Sequence, residues 1–202
     1  MKKFYLFSGL ALLGLAATVC MTGCAGLPQW LADANNLLPL FVASAGSILT
    51  AIGVLSGNPA LATGASTIAG IATEVEDSIK DVQAMVAAYQ ANPGTTTLEK
   101  VESAAQAVIT SLQKLLGDFG MPADSVAPFQ SLAQLLLTQF EAWVSTIQSI
   151  KTATENSTGL HAALLAHAAV AKLPQVPMDA AHYKQAVNGL VSQYPDSGLK
   201  SI

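Results

Sequence analysis

Residues 37–55 read LLPLFVASAGSILTAIGVL, an apolar stretch in which only Ser44, Ser47 and Thr50 carry polar side chains. The stretch belongs to a longer run, residues 34–73, whose forty positions include no charged residue. A helix of this composition either crosses a membrane or lies in the core of a protein. The choice between these two environments therefore decides the fold of the chain.

The run Ser-Gly-Asn-Pro at residues 56–59 ends this stretch. Gly57 fits the position after a helix C-terminus, Asn58 fits an N-cap, and Pro59 fits the first residue of a following helix. The pattern predicts two helices joined by a tight turn, a hairpin over residues 37–72.

The lengths of the two arms favour a protein core. The first arm has 19 residues, but the second has only 13, residues 60–72, before Glu74 begins an acidic cluster. Thirteen helical residues rise about 20 Å, short of the roughly 30 Å hydrocarbon core of a bilayer. We therefore expect the first helix to be apolar on all sides because other helices surround it. The alternative is insertion of the hairpin into a membrane, as in holins or small pore-forming proteins, with small residues at steps of four allowing close helix contact.

Beyond the hairpin, apolar residues recur at steps of three and four, the period of one helix face. The stripe of the second helix consists of Ile68, Ile71, Val75, Ile79, Val82, Val86 and Tyr89. The stripe of the third helix consists of Leu98, Val101, Ala105, Val108, Leu112, Leu115 and Phe119. The stripe of the fourth helix, residues 128–151, consists of Phe129, Ala133, Leu136, Phe140, Trp143, Ile147 and Ile150. Two such helices joined by a short loop are typical of an antiparallel pair.

Local signals predict where two of the helices begin. Thr96 and Glu99 fit a capping box, in which hydroxyl and carboxylate each accept a free backbone N–H of the first turn. Asp179 fits the N-cap of a last helix, with Met178 and Tyr183 at the two positions of a hydrophobic staple.

The remaining segments complete the expected fold. Residues 160–172 are rich in alanine, which predicts a further helix before the last one. No stretch alternates apolar and polar residues as a half-buried strand does. The sequence therefore predicts an all-α fold, an antiparallel bundle of five or six helices over residues 37–195, followed by a C-terminal tail, residues 196–202.

The N-terminal residues follow the order of an export signal. Lys2 and Lys3 precede an apolar segment without charge, residues 4–19, which is too short to span a bilayer as a helix. Small residues follow at the end of this segment, as they do before a cleavage site. The pattern predicts a secretory signal that is removed.

The next four residues, Met21, Thr22, Gly23 and Cys24, resemble the lipobox of bacterial lipoproteins, in which an apolar residue and two small residues precede an obligatory cysteine. In that family the thiol receives a diacylglycerol, with acyl chains such as palmitate, and a peptidase cleaves before the cysteine. The resemblance implies a signal peptide over residues 1–23 and a lipid on Cys24. It covers residues 1–25 only, and Met21 stands where leucine is usual. The alternative is an ordinary signal peptide followed by an incidental cysteine.

The cysteine count agrees with a lipid anchor. Cys20 lies in the part that cleavage would remove, and a lone Cys24 cannot form an internal disulfide. Residues 24–36 are expected to be the lipidated N-terminus and a linker. For a Gram-negative cell, the resemblance also implies that Ala25, where aspartate would retain the protein at the inner membrane, permits transfer to the outer membrane facing the periplasm.

Composition restricts the partners. Without residues 1–23 the chain has 179 residues, enough for one domain with a sizeable core. Seven lysines then stand against thirteen acidic residues, a formal charge of −6, and the chain contains no arginine. Nucleic-acid binding depends on a basic surface, so we expect no nucleic acid among the partners.

Candidate catalytic and metal-binding residues are few. His161 and His167 face different sides of a helix and have no acidic or cysteine neighbour at ligand spacing, and His182 lies at a helix start. The motifs of serine nucleophiles, P-loops and dinucleotide-binding loops are absent. The densest acidic cluster is interrupted by Lys80 and has no turn glycine, which favours a solvated helix face over a cation site. Its members are Glu74, Glu76, Asp77 and Asp81.

We therefore expect no enzyme, no cofactor and no metal. The leading hypothesis is an envelope lipoprotein whose helical domain has a structural role or binds an envelope protein or an apolar ligand. The alternative is a membrane-active protein whose hairpin, residues 37–72, inserts into the bilayer.

Overall fold

The structure is a computed structural model and describes residues 26–155 and 178–202. These residues form five helices and contain no strand. The helices are α1 (Gly26–Ser56), α2 (Ala62–Ala91), α3 (Thr95–Leu115), α4 (Ala123–Glu155) and α5 (Ala180–Gln193). The predicted all-α fold is confirmed for this part of the chain. The predicted signal peptide and the predicted helix over residues 160–172 lie outside the described residues.

Short loops place the four long helices side by side in alternating directions. α1 packs against α2, α2 against α3, and α3 against α4, while α4 also contacts α1. The shorter α5 lies against both α1 and α4. The described helices therefore form an antiparallel bundle, with α5 covering the junction between α1 and α4.

The apolar stripes of α2, α3 and α4 form most of the core. The buried residues of α2 are Ala65, Ile68, Ala72, Val75, Ile79, Val82, Val86 and Tyr89. In α3 they include Leu98, Val101, Ala105, Val108, Leu112 and Leu115. In α4 they include all seven positions of the predicted stripe. Of the predicted stripe residues, only Ile71 and Phe119 are partly buried, and all the others are buried. The spacing of three and four residues therefore correctly predicted which side chains of these helices form the core.

An aromatic cluster joins α1, α4 and α5. The ring of Phe41 lies 5.1 Å from that of Phe140, 5.8 Å from that of Trp143 and 4.9 Å from that of Tyr183, measured between centroids. Trp30, one helical turn from the start of α1, lies 6.1 Å from Trp143. Edge-on and tilted contacts of this kind stabilise beyond the area they bury. The aromatic residues of α1 are therefore committed to contacts with other helices.

α1 joins the core through one face. Its buried residues are Trp30, Ala34, Leu37, Leu38, Phe41, Ser44, Ala45, Ser47, Ile48, Ala51 and Ile52. The placement of residues 37–55 in a bundle core is confirmed for this face. The expectation that other helices surround α1 on all sides is wrong, because Pro39, Ala43 and Val54 are exposed.

The prediction of a linker within residues 24–36 is also corrected, because α1 already includes Gly26. Pro28 is the third residue of this helix, where a backbone N–H has no intrahelical acceptor, so the proline does not prevent helix formation. Trp30 and Ala34 continue the buried face toward the N-terminus. This extra packing supports the helix where local sequence signals do not.

The turn between α1 and α2 also differs from its prediction. α2 begins at Ala62, and its N-cap residue Leu61 makes no side-chain capping bond. Asn58 instead accepts a hydrogen bond from the N–H of Ala60 through its side-chain oxygen, at 3.1 Å. Asn58 and Pro59 therefore shape a five-residue turn, because an asparagine side chain stabilises a turn as readily as a helix start.

The capping box predicted for the third helix does not form. α3 begins at Thr95 after Gly94, which makes no side-chain capping bond. Thr97 donates its hydroxyl to the backbone oxygens of Asn92 and Gly94, each at 2.9 Å. The threonine in the first turn thus ties the helix start to the preceding loop.

Two further boundaries involve proline and the last helix. α4 begins at Ala123, and Pro128 lies inside it in the second turn, at the loss of one backbone hydrogen bond. The cap predicted for the last helix is confirmed, because Asp179 accepts a hydrogen bond from the N–H of His182 at 2.9 Å. The hydrophobic staple predicted for Met178 and Tyr183 is not confirmed, because Met178 is exposed.

The predicted tail, residues 196–202, is part of the packed domain. The N–H of Lys200 donates to the hydroxyl oxygen of Ser47 at 2.6 Å, and Leu199 is buried. Gly198 adopts a φ of 78°, and a methyl group on it would lie 3.2 Å from the Cα of Ala51. This turn returns the chain onto α1, which extends the domain to the last residue.

Candidate functional site

The predicted lipidation site lies outside the described residues. Cys24 and the residues predicted to be recognised by the peptidase, Met21, Thr22 and Gly23, precede the first described position. α1 begins at Gly26, two positions after the cysteine. His161 and His167 also lie outside the described ranges.

The acidic cluster of α2 is held by partners on two helices. Glu74 accepts hydrogen bonds from the Lys114 ammonium at 2.7 Å and from the Ser111 hydroxyl at 3.0 Å, and these bonds lower the pKa of its carboxyl group. Lys80 lies 2.7 Å from Glu76 and 3.4 Å from Asp77. The cluster thus forms surface ion pairs, two of them along α2 and one that joins α2 to α3.

A titratable group of three residues lies near the starts of α1 and α5. Partial burial and the nearby charge of Asp179 raise the pKa of Asp33. Hydrogen bonds from the backbone and then the ring of His182 lower the pKa of Asp179, whose Oδ2 lies 2.7 Å from the Nδ1 of that histidine. All three side chains reach solvent. In the described residues, no three acidic, histidine or cysteine side chains are arranged to hold a metal ion.

Buried polar contacts fix α5 and the tail on α1. Tyr183 donates its hydroxyl to the oxygen of Ser44 at 2.8 Å, and burial raises the pKa of the phenol. Ser47, one turn further along α1, accepts the N–H of Lys200 and donates to its carbonyl oxygen at 3.3 Å. The serines that interrupt the apolar stretch are therefore the hydrogen-bonding partners of the C-terminal segment.

Apart from Asp33, the exposed positions of α1 and of the first turns of α2 carry no charge. We call these uncharged positions together the uncharged face. Val54, which is 56% exposed, is its most exposed large apolar side chain. Its members are Ala32, Asn35, Asn36, Pro39, Ala43, Gly53 and Val54 in α1, and Thr63, Ser66, Thr67, Gly70 and Thr73 in α2. The small side chains among them permit close approach without specifying a ligand.

Two clefts lie where α1 ends. The first, which we call the tip cleft, has a volume of about 320 Å³ and lies between the end of α1, the first turns of α4 and the tail. Leu55, Pro128 and Phe129 supply apolar wall, while Asp124 and Asp196 supply carboxylates. This volume lies near the lower limit of the pockets that bind small molecules in proteins.

The second cleft, of about 380 Å³, lies between α2 and the loop that joins α3 to α4. Its wall includes Gly64, Thr67 and Met121. A methyl group on Gly64 would lie 2.5 Å from the sulfur of Met121, so the glycine lets the loop approach α2. Asp118, at the rim, accepts the N–H of Gly120 at 2.8 Å and so stabilises its own loop.

Sequence reasoning did not single out Asp124 and Asp196. The two residues are 72 positions apart, and neither belongs to a recognisable motif. Only the return of the tail to the end of α1 brings them to one cleft. The contact between the Asp179 carboxylate and the His182 ring could have been anticipated, because a three-residue spacing in a first helical turn places two side chains together.

No family model, no curated protein and no solved structure matches the chain.

Proposed function

We propose that the chain is an envelope lipoprotein that is anchored through a lipid on Cys24 and holds a helical bundle in an extracytoplasmic compartment, facing the periplasm from the outer membrane in a Gram-negative cell, where the bundle binds a protein partner. Its role in this proposal is structural or interactive, and its partner is another protein of the envelope.

The observation that carries the proposal is the burial of α1. Trp30–Ser56 is the one described segment that is long and apolar enough to cross a membrane, yet half of its most apolar window is buried in the bundle. Phe41 is fully buried and contacts aromatic rings of α4 and α5. A helix with these contacts is a core helix, so in this proposal the lipid on Cys24 attaches the protein to the membrane.

The start of α1 adds a geometric argument. The described part of α1 starts at Gly26, two positions after Cys24 in the sequence, so no long linker separates the proposed anchor from the bundle. The 31 residues of α1 rise about 46 Å at 1.5 Å per residue. The tip cleft and the second cleft would then lie at the end remote from the membrane, where a partner can reach them.

Insertion of α1 into a bilayer is the competing function. It would require Phe41 to leave the rings of Phe140 and Tyr183, and Ser44 to leave the Tyr183 hydroxyl. The Phe41 ring would lose its packing contacts, and the hydroxyl groups of Ser44 and Tyr183 would lose their hydrogen bond. The described contacts therefore favour an anchor that leaves the bundle folded.

The test is fractionation of a Cys24→Ser variant in which residues 1–23 are replaced by a signal peptide that is cleaved without prior lipidation. The unaltered chain should sediment with membranes after alkaline washing. The variant should appear in the soluble extracytoplasmic fraction, because no other described feature is proposed to hold it. A variant that stays in the membrane pellet after washing would overturn the proposal and favour insertion of α1.

A matched control separates the loss of the lipid from a general effect of replacing a cysteine. Cys20→Ser changes the other cysteine, which lies within the segment that cleavage is proposed to remove, and should leave membrane sedimentation unchanged. Metabolic labelling with a radioactive fatty acid should mark the unaltered chain and Cys20→Ser, but not Cys24→Ser. Labelling that persists in Cys24→Ser would contradict the assignment of the lipid to this cysteine.

A further inference from the structure

The second cleft contains a methionine that lies directly against the backbone of another helix. Met121 belongs to the loop that joins α3 to α4, residues 116–122. A methyl group on Gly64 of α2 would lie 2.5 Å from the sulfur and 2.8 Å from the Cγ of Met121. Atoms in favourable contact lie about 3.5–4.0 Å apart. The Met121 side chain therefore occupies the space that a side chain at position 64 would need.

The same methionine can be reached from solvent. Met121 is half-buried and forms part of the wall of the second cleft, whose volume is about 380 Å³. Thr63 and Thr67, which line the same cleft from α2, are exposed. A small solute that enters the cleft therefore meets Met121.

The two other methionines of the described ranges lack one of these features. Met178 is exposed and is not among the described side chains that pack against the core. Met85 packs against the core, as Met121 does, but lines neither of the two clefts. Only Met121, among these three, combines packing between elements with a place in the wall of a cleft.

The loop is also held by bonds that do not involve Met121. Gln130 of α4 donates its side-chain amide to the carbonyl oxygen of Gly117 at 3.2 Å, and Asp118 accepts the N–H of Gly120 at 2.8 Å. These bonds join the loop to α4 and to itself, whereas the Met121 thioether lies on α2. Loss of the thioether packing would therefore loosen the loop from α2 and leave its other bonds in place.

We propose that Met121 is an oxidation site, at which a hydroperoxide converts the thioether to a sulfoxide and so releases the loop from α2 and widens the second cleft. A sulfoxide is polar and larger than a thioether, and it disrupts packing that a methionine makes. The inference goes beyond the proposed anchor and does not depend on a lipid at Cys24.

The reaction needs only the side chain and the peroxide. A lone pair of the sulfur attacks the terminal oxygen of the hydroperoxide, and an S–O bond forms as the O–O bond breaks. The proton of the transferred hydroxyl passes to the leaving oxygen, which departs as an alcohol or as water. The sulfur is oxidised by two electrons and the peroxide is reduced by two.

The test is treatment of the full chain, as the cell produces it, with hydrogen peroxide. Protease digestion and mass spectrometry measure the sulfoxide at each methionine, and NMR follows the backbone amide signals of Gly64 and Thr67. Met121 should be oxidised, both signals should shift, and the thermal unfolding midpoint should fall by about 2–4 °C. Treatment with a methionine sulfoxide reductase and a thiol should reverse these changes.

Variants assign the effect to one residue. Met121→Leu has a similar volume and cannot form a sulfoxide, so it should fold and its unfolding midpoint should not respond to peroxide. Met178→Leu and Met85→Leu are the matched controls and should keep the full response of the unaltered chain. Circular dichroism before treatment checks that the three variants are folded.

Three results would overturn the inference. The first is a Met121 that stays reduced when Met178 is fully oxidised. The second is an oxidised Met121 in the unaltered chain with unshifted signals of Gly64 and Thr67, a result that needs no variant. The third is an equal fall of the unfolding midpoint in Met121→Leu and in the unaltered chain. None of these results alters the membrane fractionation, and a failure of the fractionation leaves the oxidation result standing.

Discussion

α1 and α4 are the two longest described helices, with 31 and 33 residues. The helix with the more apolar sequence, α1, is the less buried of the two. α1 is apolar enough to cross a membrane, yet nine of its residues between Trp30 and Ser56 are exposed. α4 is more polar, yet only Gln134, Glu141 and Gln148 are exposed between Phe129 and Ile150. The more enclosed helix is the more polar one.

This difference has two causes: the buried polar groups of α4 have hydrogen-bond partners, and the exposed positions of α1 are uncharged. Within α4 the buried Thr146 donates to the carbonyl oxygen of Ala142 at 2.9 Å, and the buried Gln139 accepts the N–H of Met178 at 2.8 Å. Along residues 37–55 of α1 the exposed positions are Pro39, Ala43, Gly53 and Val54, which are all uncharged and, apart from Val54, small. Average hydropathy therefore does not identify the central helix.

The largest expected effect is in the core of α4. Phe140→Ala should lower the free energy of unfolding by about 3–5 kcal/mol, because the ring is fully buried against Phe41 and Trp143. Val54→Ala, on the exposed side of α1, should cost less than about 1 kcal/mol. Chemical denaturation followed by circular dichroism measures both. Similar losses in the two variants would contradict the difference between the helices.

A smaller effect concerns how the tail is held on α1. Gly198→Ala should lower stability by about 1–3 kcal/mol, because the φ of 78° strains a side chain and its methyl group would lie 2.6 Å from Val54 Cγ2. Gly189→Ala is the matched control in α5, where the added methyl group meets no atom within 4 Å. That change should raise stability by about 0.5–1 kcal/mol. Thermal unfolding measures both variants, and a Gly198→Ala variant that is as stable as Gly189→Ala would contradict the packing of the tail on α1.

The ion pair that fixes α4 to α3 should give a pH-dependent effect. Glu102 lies 2.7 Å from Lys151, which, with a hydrogen bond from Gln148, lowers the pKa of the Glu102 carboxyl below its ordinary value of 4.5. Because the folded-state pKa is the lower one, this pair stabilises the fold above pH 4.5 and loses that contribution as pH falls through the lowered value.

Glu102→Gln should therefore cost about 1 kcal/mol or less at pH 7 and nothing once the carboxyl is protonated. Glu141→Gln, at an exposed site of α4 without an ion pair among the described residues, should change stability at neither pH. Urea denaturation at pH 7 and near pH 2 gives the comparison. An equal effect of Glu102→Gln at both values would show that the residue acts through packing.

The smallest expected effect tests the uncharged face. Ala43→Glu should change stability by less than about 0.5 kcal/mol, because Ala43 is exposed. Gln134→Glu is the matched change at an exposed position of α4. In a Cys24→Ser background, Ala43→Glu should also leave the soluble fraction unchanged. A marked rise in solubility would indicate membrane insertion of α1, since a charge at the centre of a bilayer costs about 2.5–3.5 kcal/mol.

Local sequence was sufficient for the apolar stripes and for one helix cap. The stripe from Leu98 to Leu115 and the stripe from Phe129 to Ile150 are both buried, because a period of three and four residues fixes one face of a helix wherever the helix lies. The Asp179 cap followed from a carboxylate within reach of a first-turn N–H. These features depend on neighbours along the chain.

Helix starts were less predictable where tertiary contacts compete with local signals. Pro28 and Pro128 both lie within helices, although a linker was predicted at the first and a helix start at the second. Pro28 costs no backbone hydrogen bond so near the helix start, and packing outweighs the one bond that Pro128 loses. The tip cleft could not be anticipated, since Asp124 and Asp196 line one cleft only because the tail returns to the end of α1. A lipid on Cys24 remains a prediction from the motif that precedes α1.

The sequence alone determined that the described chain is helical and which face of α2, α3 and α4 is apolar, because those properties follow from side-chain spacing along one backbone. Tertiary structure alone decided that α4 is more enclosed than the more apolar α1, and that residues 196–202 return to α1. Packing made these choices, because burial depends on which surfaces meet and on whether buried hydroxyl and amide groups find partners across the bundle.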